Sequence, residues 1–144
     1  MKWVTRERAH VDRIACPWLI LRFVDENAEF LFVPADKVQD IAKRENAVPF
    51  DVKDAELGHH GELCSFDAII KKHGLKDPAL LELARIVRGA DTDKPELAPE
   101  AAGLDSIATG FKLISKDDFD NMERQFPLYD ALYAFCRQKT GQMR

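Results

Sequence analysis

Apolar and polar positions alternate and cluster along this chain in a way that predicts a mixed α/β layer followed by helices. Lys2–Thr5 reads as a short strand. From Ile14 to Val24 every residue but Arg22 is apolar or proline, and a helix apolar nearly all round is a buried one. It is expected to end near Asp25. Ala28–Val33 alternates and is aromatic-rich, which predicts a second strand stopped by Pro34. Asp36 can cap a helix to about Glu45 with Val38, Ile41 and Ala42 on one face, and Asn46 fits its C-terminal end. Ala47–Asp51 reads as a third short strand, with Pro49 marking an edge or an end. The order is β-α-β-α-β, a small α/β sheet layer.

The second half reads as almost wholly helical. Residues 52–63 form an irregular loop with Gly58-His59-His60-Gly61 at its centre. Ser65 caps a helix over Phe66–Lys72 that Gly74 ends. Asp77-Pro78, a cap followed by proline at the first helical position, starts a helix running to about Arg88 and stopping at Gly89. Asp91–Pro99 is a second loop. Glu100–Leu113 and Asp117–Arg137 are two further helices, the last one bent or broken near Pro127. No repeat or linker divides the chain, so residues 1–144 are expected to form one domain.

Length and composition agree with this outline. A chain of 144 residues with 46% hydrophobic and 32% charged residues can build a core without disulfides or a structural metal. The net charge of −4 argues against a general nucleic-acid binder, which would show a basic face. Three scattered cysteines, Cys16, Cys64 and Cys136, are no disulfide framework and point to a reducing cytoplasm. Met1–Arg8 holds no apolar stretch long enough for a secretory leader, so none is expected, and no run of 18 apolar residues predicts a membrane span.

Candidate chemistry begins with Cys16 before Pro17. If Pro17 opens the helix, Cys16 sits at its cap, where free N–H groups favour a thiolate or an anion. Arg13 and Arg22, with Arg6 and Arg88 as lesser candidates, can grip an oxyanion by paired hydrogen bonds. Plainer uses exist: Cys16 as a small buried hydrophobe, and Arg22 as the partner of Asp12, Asp25 or Asp51. His59, Asp67 and Asp91 can offer one nitrogen and two carboxylates to a divalent ion such as iron or manganese if the two loops meet. Each also has a structural use, as a helix-start charge, a loop cap or a hydrogen-bonded loop histidine. Tyr129, Leu132, Tyr133 and Phe135 read as core packing of the last helix. No Walker loop, dinucleotide fingerprint or nucleophile elbow is present.

Val11-Asp12-Arg13-Ile14-Ala15-Cys16-Pro17-Trp18-Leu19-Ile20 resembles the C-terminal domain family of the chromate-resistance regulator, chromate-resistance protein B. The likeness continues through Pro49-Phe50-Asp51, His59, Cys64-Ser65-Phe66-Asp67, Ile86–Asp91 and Tyr129–Tyr133, in the same order along nearly the whole chain. The residues the resemblance marks are Asp12, Arg13, Cys16, Trp18, Arg22, Asp51, His59, Cys64, Asp67 and Asp91. It implies a link to chromate or oxidative stress. The full regulator carries an N-terminal portion associated with DNA binding, so direct nucleic-acid binding is not expected of this chain alone.

Two functions compete. In the first, the domain binds or senses an oxyanion such as chromate. Asp12, Arg13, Trp18, Arg22, Asp51 and Cys64 line the ligand, and Cys16 stands at a buried helix start. In the second, it is an enzyme acting on chromate or another oxidant, through Cys16 and Cys64 or through a metal on His59, Asp67 and Asp91. A third, weaker reading is an interaction module that forms a homodimer or meets a regulator or transporter partner.

Overall fold

The computed structural model describes residues 1–143. Three parallel strands, β1 (Lys2–Arg6), β2 (Glu29–Val33) and β3 (Val48–Pro49), form a sheet in the order β2-β1-β3. Helix α1 (Asp12–Phe23) joins β1 to β2, and α2 (Val38–Glu45), preceded by a 3-10 turn over Ala35–Lys37, joins β2 to β3. The expected β-α-β-α-β order is therefore present. Alternation along β1 sends Trp3 and Val4 to opposite faces. Trp3 joins the main core with α1, while Val4 packs with Val38 and Ala42 of α2.

Four helices follow: α3 (Ser65–Lys72), α4 (Pro78–Asp91), α5 (Ala101–Ile114) and α6 (Asp118–Lys139). As the apolar run predicted, α1 is buried: residues 14–20 are all inaccessible, and α1 packs on α3, α4 and α6. Asp77 caps α4 by accepting from the Ala79 amide, with Pro78 at its first position. Asp117 caps α6 in the same way through the Asp120 amide. Among the described residues no helix is long and apolar enough to cross a membrane.

Three departures from the sequence outline bear on function. Helix α1 begins at Asp12, with the Ala15 amide already bonded to the Val11 carbonyl at 2.8 Å. Pro17 is thus inside the helix, where its fixed φ is tolerated at the loss of one hydrogen bond. Helix α4 does not stop at Gly89 but runs on to Asp91. A β-carbon at Gly89 would stand 2.9 Å from Ala101 Cβ and 3.0 Å from the Lys94 carbonyl. That glycine is there for close packing, not to end the helix. Finally, α6 continues through Pro127 as one helix.

Candidate metal centre

The carboxyl ends of parallel strands are where open α/β sheets present ligands, and three aspartates of this chain converge there. Asp12 opens α1, just beyond β1. Asp51 follows β3 in a left-handed conformation (φ 50°), which aspartate tolerates better than most residues. Asp91 ends α4. His59 comes from the 52–63 loop, directly after Gly58. A β-carbon at Gly58 would lie 2.6 Å from the Val52 carbonyl oxygen, so only glycine allows the tight fold that presents His59.

One ligand atom from each of Asp12, Asp51, His59 and Asp91 lies within 4.8 Å of every other. The His59 Nε2 stands 2.9 Å from Asp91 Oδ2, 3.1 Å from Asp51 Oδ1 and 3.5 Å from Asp12 Oδ2. Asp12 and Asp51 are buried and Asp91 nearly so, whereas the His59 side chain is 42% exposed.

The carboxylates are held from behind. Asp12 accepts the backbone amides of Ser65 (2.8 Å) and Phe66 (3.1 Å) at the start of α3, where amides have no helical partner. The Cys16 thiol donates to Asp12 at 3.3 Å. The Ser65 hydroxyl donates to Asp51 Oδ1 at 3.0 Å, and Arg13 Nη1 reaches Asp51 Oδ2 at 3.4 Å. Asp91 Oδ1 accepts the Asp12 amide at 3.3 Å.

The charges respond accordingly. Burial, reinforced by the charges of Asp51 and Asp91 and opposed by His59, pushes Asp12 up to about 7. Burial also acts to raise Asp51, but the His59 hydrogen bond and the Arg13 charge outweigh it and hold that carboxyl low. The carboxylates of Asp12, Asp51 and Asp91, as acceptors facing its ring N–H, raise the His59 pKa to about 12. A single imidazolium then faces three acidic side chains.

Three carboxylates and one imidazole, with no thiolate, are a donor set for a divalent ion of the iron or manganese kind. The site fits such an ion for two reasons. Like charges crowd round one point, and the histidine side is open to solvent. A cleft of about 440 Å³ lined by Arg6, Asp51, Val52, Lys53, Asp54 and His59 lies on that side.

The candidate residues divide cleanly. His59 and Asp91 are brought together as the metal pattern requires, and Asp12 and Asp51, assigned from the sequence to an oxyanion, join them. Asp67 does not. Its Oδ1 pairs with Arg88 at 2.9 Å and its Oδ2 accepts the Cys64 amide at 3.0 Å, because it sits in the first turn of α3 and serves that helix.

Cys16 is not at a helix cap. It lies one turn inside α1, fully buried, and burial followed by the Asp12 charge pushes its thiol well up. Cys64 is likewise buried with its thiol pushed up, first by burial and then by Asp12 and Asp67. Both side chains are enclosed by the fold.

Arg22 and Cys16 share no hollow. Arg22 binds Asp130 through Nε (3.2 Å) and Nη2 (3.1 Å), with its guanidinium 5.6 Å from the Phe126 ring centre. Trp18 is a core residue whose Nε1 donates to the same Asp130 at 2.8 Å. Tyr129 is buried in the core as expected and Leu132 and Tyr133 pack against it partly buried, whereas Phe135 faces solvent on the outer side of α6.

Ser65 is the functional neighbour that sequence reading missed. Its sequence context marks it only as a helix cap, yet its amide and hydroxyl touch two of the four donors. The adjacent acidic cap motif Cys64-Ser65-Phe66-Asp67 was the available signal.

A family model of the ChrB C-terminal domain matches residues 3–136. Protein ChrB of Cupriavidus metallidurans is 31% identical over 134 residues, covering 92% of this chain and 40% of that protein. The chain thus spans less than half the length of that relative. No solved structure matches it.

Proposed function

The chain belongs to the ChrB C-terminal domain family, and we propose that it is a domain associated with chromate resistance that binds a metal ion. In this reading Asp12, Asp51, His59 and Asp91 hold a divalent ion such as iron or manganese. An oxyanion such as chromate is bound or sensed at that ion. The observation that carries this is the convergence of four donor atoms within 4.8 Å.

The metal is needed for the anion to approach. Without it, an oxyanion would meet three carboxylates and be repelled, whatever the nearby arginines offer. With a cation balancing those charges, Arg13 and Arg6 become the next positive groups. Arg6 Nη2 lies 3.7 Å from Asp51 Oδ2, and Arg13 Nε is buried without a hydrogen-bond partner among the described groups. Both can then turn toward an anion. A bound metal supplies Lewis acidity and, for iron or manganese, electron transfer. The chain's own residues fix the ion's surroundings and leave access on the His59 side.

A second reading is a metal-dependent enzyme acting on chromate or another oxidant at the same centre. The exposure of His59 favours it, because one face of the donor set is reachable from solvent. The thiol-dependent version finds no support in two buried cysteines.

Metal analysis and calorimetry test the first reading. Metal-free protein titrated with Mn(II) is expected to bind one equivalent, and Asp51→Asn with Asp91→Asn to bind none. Chromate is expected to bind the Mn(II)-loaded protein and not the metal-free protein. Absence of Mn(II) and Fe(II) binding by folded wild-type protein would overturn the proposal. Chromate consumption by the loaded protein, lost in His59→Ala, would favour the enzyme.

A further inference from the structure

Arg88 donates nothing to the four-residue cluster, yet it closes a circuit of contacts around it. Its Nη1 lies 2.9 Å from Asp67 Oδ1. Asp67 Oδ2 accepts the Cys64 amide and so fixes the first turn of α3. That turn holds Asp12 through the Ser65 and Phe66 amides, and Asp51 through the Ser65 hydroxyl. The Asp12 amide returns to Asp91 at 3.3 Å, and Asp91 stands three residues after Arg88 on α4. Among the described residues, Arg88–Asp67 is the one side-chain hydrogen bond or ion pair between α3 and α4.

We propose that Arg88 and Asp67 are positioning residues of the metal centre. Their pair sets the separation between the α3 turn that holds Asp12 and Asp51 and the α4 end that carries Asp91. This rests on the metal reading given above. Partners outside a metal's own ligands commonly govern affinity in this way, by fixing where the ligands stand.

The sign of the effect separates positioning from simple charge. Arg88 is a cation near a cation site, so by Coulomb's law alone its removal would tighten metal binding. Positioning requires the opposite.

The test is Mn(II) titration of metal-free protein by calorimetry, with circular dichroism to verify the fold. Arg88→Met is expected to raise the Mn(II) Kd about tenfold, the lower end of the range for such supporting groups. Asp67→Asn, which keeps an oxygen for the Cys64 amide, is expected to do the same. The double variant is expected to bind no more weakly than either single one, and Arg88→Lys to recover much of the loss. Arg22→Met, which breaks the pair with Asp130 instead, is expected to leave the Kd unchanged.

A Kd that is unchanged or lowered in folded Arg88→Met or Asp67→Asn would overturn the positioning role. If Arg88→Met fails to fold, Arg88→Gln, which also removes the cation, decides in its place, because Asp67→Asn removes an anion and weakens Mn(II) binding by charge alone. Wild-type protein that takes up no Mn(II) would overturn the metal reading and the positioning role with it. Metal binding that is indifferent to Arg88 removes only the latter.

Discussion

Asp91 Oδ2 lies 2.9 Å from His59 Nε2, joining the last residue of a buried helix to an exposed loop. His59 is the solvent-facing partner in a cluster whose other members are buried or nearly so. In metal-free protein it is also the cation closest to three carboxylates.

His59→Ala is therefore expected to destabilise the metal-free protein, because like charges are left facing one another. Added Mn(II) should reduce that loss. Thermal unfolding of wild type and variant, with and without the ion, measures both. A variant as stable as wild type without metal would mean that the carboxylates do not feel His59.

Metal binding should raise the melting temperature. At a free ion concentration one hundred times Kd, the stabilisation is about 2.7 kcal/mol. For a domain of this size that is roughly 5–10 °C. Chelator should reverse it, and Asp51→Asn with Asp91→Asn should abolish it.

The cysteines should be silent in native protein. All three are free and buried, and Cys136 is pushed up to about 11 by burial and then by Glu82 and Glu100. A thiol reagent at pH 8 is expected to label none of Cys16, Cys64 or Cys136 rapidly, and all of them in guanidinium. Fast labelling of Cys16 in folded protein would contradict its enclosure.

Asp130→Ala should destabilise by about 1–3 kcal/mol, mainly because the buried Trp18 N–H loses its acceptor. The exposed Arg22 pair adds little. Arg22 holds the Asp130 carboxyl below the ordinary range, with burial opposing and Trp18 assisting. A lowered carboxyl contributes stability above its unfolded value, about pH 4, and loses it as pH falls through the folded value. The stability gap between wild type and Asp130→Ala should thus narrow below pH 4 in denaturant titrations.

Gly89→Ala should lower stability although alanine is the better helix former by about 1 kcal/mol. The new methyl would press on Ala101 Cβ and on the Lys94 carbonyl, and overpacking of this kind costs about 1–3 kcal/mol. A rise in melting temperature would show that the α4–α5 contact yields easily.

The sheet layer and the four later helices were legible because hydrophobic period, caps and prolines agreed at each of them. Asp77-Pro78 and Asn46 are cases where a local rule and the fold coincide, Asn46 taking up the left-handed helix end at φ 52°. Gly89 and Pro17 misled for one reason. Both are punctuation in local terms, and both were overruled by packing that only distant residues supply. The site was half legible. His59 and Asp91 stood out by chemistry, and the resemblance marked Asp12 and Asp51, but spacing along the chain could not assign all four to one centre. Asp67 was chosen for its type and proximity to Cys64, whereas a partner on another helix, Arg88, decided its role. Arg22 likewise found Asp130, a residue on the final helix that no nearby pattern connects to it.

The backbone amides of Ser65 and Phe66 have a consequence for how this centre is held. They grip Asp12 by main-chain groups in the first turn of α3, so the hold on that carboxylate depends on the turn itself and not on which side chains stand at 65 and 66. A cation bound there as proposed would meet Asp12 already anchored through the main chain, and its charge would offset the repulsion among the three carboxylates.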